Sequence, residues 1–116
     1  GGDTAEIQPL ETSSIIFDID RISASKADVY ITVHFSQTVN VYNVVVYLQK
    51  KVDGDWQIDF SNPERTLYNN GFQRDSFLFY NQYTGLDRGD SYRMRVVSKD
   101  TIGDEQHTFI ATSSAF

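Results

Sequence analysis

The chain has 116 residues, 40% apolar and 14% aromatic, which fits one domain with its own core and excludes disorder throughout. It has no Cys, so disulfides, thiolate catalysis and Cys-ligated zinc are excluded. With 10 Lys+Arg against 16 Asp+Glu the net charge is −6; no basic stripe marks a nucleic-acid or anionic-membrane surface.

No apolar run approaches the ~20 residues of a membrane helix. The first residues lack the basic and apolar regions of a signal peptide. Gly1-Gly2 reads as a processed or engineered start, so a secreted or cell-surface protein with its signal removed is expected. Residues 1–13 are polar and include Pro9; they read as a flexible leader or linker before a single domain over 14–116.

From Ser14 the pattern changes to period two. Ile15, Phe17 and Ile19 alternate with Ile16, Asp18 and Asp20. Val29, Ile31, Val33 and Phe35 alternate with Tyr30, Thr32, His34 and Ser36, a strand with one buried face. Residues 39–50 are rich in β-branched side chains and apolar on both faces, as a central strand would be. Asp53-Gly54 is a hairpin turn, followed by Trp56, Ile58 and Phe60 in alternation. Residues 61–71 carry Pro63, Asn69-Asn70 and Gly71 and read as loop. Phe77 and Phe79 open a further strand running to about Tyr83. Tyr92, Met94 and Val96 alternate with Arg93, Arg95 and Val97, Gly103-Asp104 turns the chain, and residues 105–113 form the last strand. Seven short strands, no helix and regular turn signals predict an all-β, seven-stranded antiparallel β-sandwich.

The segment Leu86-Asp87-Arg88-Gly89-Asp90-Ser91-Tyr92 resembles the E–F turn of fibronectin type III domains, L-x-P-G-T-x-Y. The resemblance implies that Leu86 plugs the core, Gly89 permits the turn, and Tyr92 forms a tyrosine corner whose hydroxyl bonds back to the turn backbone. Tyr92, Met94, Val96 and Ser98 match the inward positions of the family's next strand, and Gly103 its loop glycine. Arg88 stands where the family usually has Pro, and the second strand lacks the family's Trp, leaving Val33 or its neighbours to fill that volume. The implied fold is a fibronectin type III-like or immunoglobulin-like Greek key, similar to small secreted bacterial proteins of unknown role. Fold analogy does not carry function.

Several constellations have a functional and a structural reading. Arg88-Gly89-Asp90-Ser91 is an integrin-type RGDS, but it lies in a tight turn that already uses Gly89, with Asp90 able to bond the turn backbone. Asp18 and Asp20 share one strand face about 7 Å apart, a spacing compatible with glycoside hydrolysis or a calcium site; bare spacing supplies no coordination shell, so the favoured reading is a solvated face or a blunted edge. Asp53 and Asp55 flank Gly54 without the remainder of a calcium loop. His34 and His107 match no metal spacing, and no nucleophile elbow or glycine-rich phosphate loop exists. No catalysis, cofactor or metal is expected.

The outward set Arg93 and Arg95 should face Tyr47 and Val45 on residues 39–50, because the resemblance places the sixth strand beside the third; Tyr42, Val44, Val46 and Leu48 then point inward. Tyr and Arg are frequent interface anchors; the alternative is a cross-strand ladder in which Arg stems cover Tyr47. Trp56, the single Trp, sits on a short edge strand after a turn, suited to a protein or carbohydrate contact. Tyr68, Tyr80 and Tyr83 with Arg65, Asn69 and Asn70 are possible neighbours, unless Leu67 and Tyr68 simply cap the core. The expectation is a non-catalytic extracellular module for protein–protein interaction or surface display, with contacts at Tyr47, Trp56, Arg93 and Arg95. A carbohydrate-binding module using exposed aromatics is the alternative.

Overall fold

The computed structural model describes residues 4–7 and 14–116. Side chains at 4–7, 36, 37, 40–42, 67–74 and 102 are outside the description. The elements are β1 (Thr4–Ile7), β2 (Ser14–Ser23), β3 (Lys26–Val52), β4 (Asp55–Ile58), β5 (Arg65–Tyr83), β6 (Tyr92–Ile102) and β7 (Glu105–Thr112). Every pairing is antiparallel, in the order β1-β7-β6-β3-β2, with β4 and β5 also on β3. The described residues form an all-β structure with no helix, so none is long and apolar enough to cross a membrane.

Two of the expected strands are one element. β3 runs through residues 35–41 without a loop; its first half pairs β2 on one side and its second half pairs β6. On its other side β5 follows it along both halves, with register shifts between His34 and Val41. Inward residues are odd in the first half (Val29, Ile31, Val33) and even in the second (Val44, Val46, Leu48). A side-chain period of two can change parity only through an inserted residue, and the register shifts supply it.

The expected loop over 61–71 is corrected: strand β5 begins at Arg65 and pairs with Val46. Its Asn-rich sequence lacks the alternation that announces a strand, and partner β3 imposes the pairing instead. The described residues hold nine strand segments against the seven strands expected, with β3 pairing β2, β4, β5 and β6. Of the expected leader, Thr4–Ile7 pairs β7; residues 1–3 and 8–13 lie outside the described residues.

One buried cluster joins these elements. It takes Ala27, Val29, Ile31, Val33 and Phe35 from the first half of β3 and Val44, Val46 and Leu48 from the second. Val39, Phe79, Tyr83, Leu86, Tyr92, Met94, Val96 and Phe109 complete it, and Ile15, Phe17 and Ile19 of edge strand β2 pack against it while half-buried. Val33 is fully buried.

Candidate functional site

The turn between β5 and β6 is built by side chains from three places. Leu86 is buried, and its N–H donates to the Ser25 carbonyl at 3.0 Å, joining this turn to the one between β2 and β3. The Tyr92 hydroxyl accepts from the Asp87 N–H at 2.8 Å. Gly89 sits at φ 81°, a region a side chain resists. Arg21, from β2, was not singled out by the sequence. Its guanidinium donates to the carbonyls of Asp90 (2.5 Å), Asp87 (2.8 Å) and Ala24 (2.8 Å) and lies 5.3 Å from the centre of the Tyr92 ring. Lys50 pairs with the carboxylates of Asp87 and, at 3.3 Å, Asp90, and these hold its ammonium well above the ordinary lysine value. Within the RGDS tetrapeptide, therefore, Gly89 makes the turn and Asp90 is tied by its carboxylate to Lys50 and by its carbonyl to Arg21.

The second half of β3, with β4 and β6, presents a different surface. Register places Tyr47 opposite Arg95, Gln49 opposite Arg93 and Ile58, and Lys51 opposite Trp56. All point away from the core, because Leu48, Met94 and Val96 between them are buried. The Trp56 indole reaches across β3 to Arg93, whose guanidinium carbon lies 4.6 Å from the ring centre; the Lys51 ammonium is 5.9 Å away. Arg93 Nε donates to Gln49 Oε1 at 2.7 Å. Gln49 and Trp56 thus both hold the Arg93 guanidinium in place. Beside it lies an open depression of about 260 Å³ lined by Tyr47, Gln49, Ile58, Arg95 and Val97. The four sequence-selected residues Tyr47, Trp56, Arg93 and Arg95 thus share one face. The sequence missed Gln49 and Ile58, though the period-two pattern running through Tyr47 and Trp56 contained both.

The remaining candidates are dispersed. Asp18 and Asp20 are exposed on edge strand β2, in rows with Tyr30 and Asp28. Asp53 and Asp55 are exposed at the β3–β4 turn. His34 is exposed in a row with Ser14 and Ser76, and His107 is half-buried with Glu105 Oε2 at 3.5 Å. Among the described residues no three His, Cys, Asp or Glu side chains are placed to hold a metal ion. Tyr83 is buried in the core and Arg65 is exposed at the start of β5. The side chains of Tyr42, Leu67, Tyr68, Asn69 and Asn70 lie outside the described residues.

Two further features escaped the sequence reading. Asp100 is 3% exposed and accepts from the Ser98 hydroxyl at 2.7 Å. Burial pushes its carboxyl up to about 6, with the Ser98 hydrogen bond and the charge of His107 acting in the opposite direction. On the outer face of the β2–β3–β5 ladders, Ile16, Tyr30, Leu78 and Tyr80 are exposed together; the two tyrosine rings lie 4.6 Å apart and the Tyr80 hydroxyl donates to Asp28. Their alternation with buried Ile31 and Phe79 was visible, but which cross-strand rows meet depends on register.

No family model matches the chain, and the curated proteins hold no match to it.

Proposed function

We propose that this chain is a non-catalytic extracellular module for protein–protein interaction or surface display, built as a fibronectin type III-like or immunoglobulin-like sandwich. Its contact face is Tyr47, Trp56, Arg93 and Arg95. The single observation that carries the reading is the 4.6 Å stack of Arg93 on Trp56 beside the open depression that holds Tyr47 and Arg95. Aromatic and Arg side chains fixed in place lose little entropy on binding, and such residues dominate contact energies. The sandwich reading is supported by the single core that gathers both halves of β3, and by the hydrogen bond from Asp87 N–H to the Tyr92 hydroxyl.

The carbohydrate-binding reading needs an open indole face for a sugar ring. The Arg93 guanidinium lies over the Trp56 ring, so a protein partner ranks first. Retention of partners from the source's own surface extract on immobilised chain tests the reading. Arg95→Ala, with an unchanged melting temperature, is expected to lose the partner that the unaltered chain retains. Equal retention after Tyr47→Ala, Trp56→Ala and Arg95→Ala in combination rejects this face. A glycan array with Trp56→Ala as control tests the sugar reading separately.

A further inference from the structure

We infer that the Arg93–Arg95 face binds an extended acidic polypeptide segment, one whose carboxylates recur at every second residue; this rests on the contact face proposed above. The outward positions of β6 read Arg93, Arg95, Val97, Lys99, and those of the adjoining part of β3 read Asn43, Val45, Tyr47, Gln49, Lys51. No carboxylate stands at any of these positions, in a chain with 16 Asp+Glu and net charge −6. Four of its 10 Lys+Arg are therefore gathered on one face. A surface of one sign on a protein of the other sign selects partners by charge complementarity.

Spacing narrows the partner to an extended chain. Alternate residues on a strand stand about 7 Å apart, which sets the distance from Arg93 to Arg95. An extended peptide lying along β6 repeats its own side chains at the same interval. Carboxylates opposite Arg93, Arg95 and Lys99, with an apolar residue over Val97, satisfy all four outward positions. Arg93 is already held by Gln49 and Trp56, so a carboxylate there meets donors with little freedom left to lose. An acidic polysaccharide carries charge too, but its sugar rings would have to displace Arg93 from Trp56 to stack there.

The test uses a fluorescein-labelled nine-residue peptide, Ser-Glu-Ser-Glu-Ser-Val-Ser-Glu-Ser, titrated with the whole chain and read by anisotropy. Trp56, as the single Trp, reports the location of binding through its own emission. The expected result is saturable binding that shifts Trp56 emission and weakens with salt. Arg95→Gln weakens it about tenfold, while Leu78→Lys on the opposite ladders leaves it unchanged. The overturning results are no saturable binding, equal binding of a peptide with its Glu residues in one block, or stronger competition by polygalacturonate than by peptide at equal carboxylate concentration; the last transfers the face to anionic glycans. A flat titration alongside Arg95-dependent retention of a natural partner defeats the acidic-strand inference alone. A flat titration with no such retention defeats the contact face as well.

Discussion

Arg21 and Lys50 both bring a positive charge to the turn over residues 86–91, and their contributions differ. Arg21 is half-buried and donates to four carbonyls, those of Ala24, Asp87, Asp90 and, at 3.4 Å, Phe116, so its removal leaves acceptors without partners. Arg21→Met is expected to cost about 2 kcal/mol, seen as a fall in melting temperature; an unchanged melt would show that water replaces the guanidinium. Lys50 pairs with Asp87 and Asp90 near solvent, where salt screens the attraction. Lys50→Gln should shift the melt only slightly, and less still in 1 M salt. Asp100 behaves unlike the usual carboxylate. Its folded value of about 6 lies above the ordinary 3.8, so between those limits the folded chain keeps a proton that the unfolded chain releases. Stability therefore falls as pH rises from about 4 to 6, and the loss is complete above that window. Asp100→Asn should flatten that part of the profile and raise the melting temperature at pH 7, compared pairwise with the unaltered chain. A larger loss of stability at pH 7 than at pH 4 in the variant would contradict this. Neither Arg21 nor Asp100 was legible in the sequence. Arg21 acts on backbone 66 and 69 residues away, and the burial of Asp100 depends on which end of the core closes over it.

At the scale of elements, the legible parts are those whose local chemistry and tertiary setting agree. The Asp53-Gly54 turn is an example. Both residues have positive φ, 51° and 87°, as the two-residue turn that matches strand twist requires. A Cβ on Gly54 would meet no atom within 4 Å, so Gly54→Ala tests backbone strain alone. It should cost about 1 kcal/mol, measured by denaturant unfolding with an unchanged m-value. A neutral substitution would mean that the turn relaxes to another type. That Arg95 faces Tyr47 was expected from the resemblance that sets the sixth strand beside the third, but the register was not: Val45 stands opposite Val97, and Arg93 opposite Gln49. The join of two expected strands into β3 was not legible either, because a bulge leaves no residue type behind that marks it. The strand at 65–70 was likewise hidden, its Asn-Asn-Gly sequence carrying a turn signal that pairing with β3 overrides.

For the whole molecule, charge and exposed apolar area work against each other. The face with Ile16, Tyr30, Leu78 and Tyr80 leaves Leu78 62% and Ile16 53% exposed, in two neighbouring rows of the same ladders. Grouped exposure of this kind favours association where scattered residues would not. At neutral pH the net charge of −6 keeps copies apart. Near pH 4.6, where the net charge vanishes, that repulsion is lost while the apolar rows remain. The chain should therefore scatter light increasingly as pH falls from 7.5 to 4.6. Leu78→Lys should suppress the increase, because it interrupts the patch and moves the neutral point upward. Those two effects separate when Leu78→Ser is measured: it interrupts the patch at constant charge. If Leu78→Ser scatters as the unaltered chain does while Leu78→Lys does not, charge alone governs the association. If both suppress scattering, the Ile16–Leu78 rows are the adhesive surface, and contact through the Arg93–Trp56 face leaves them open to a second copy.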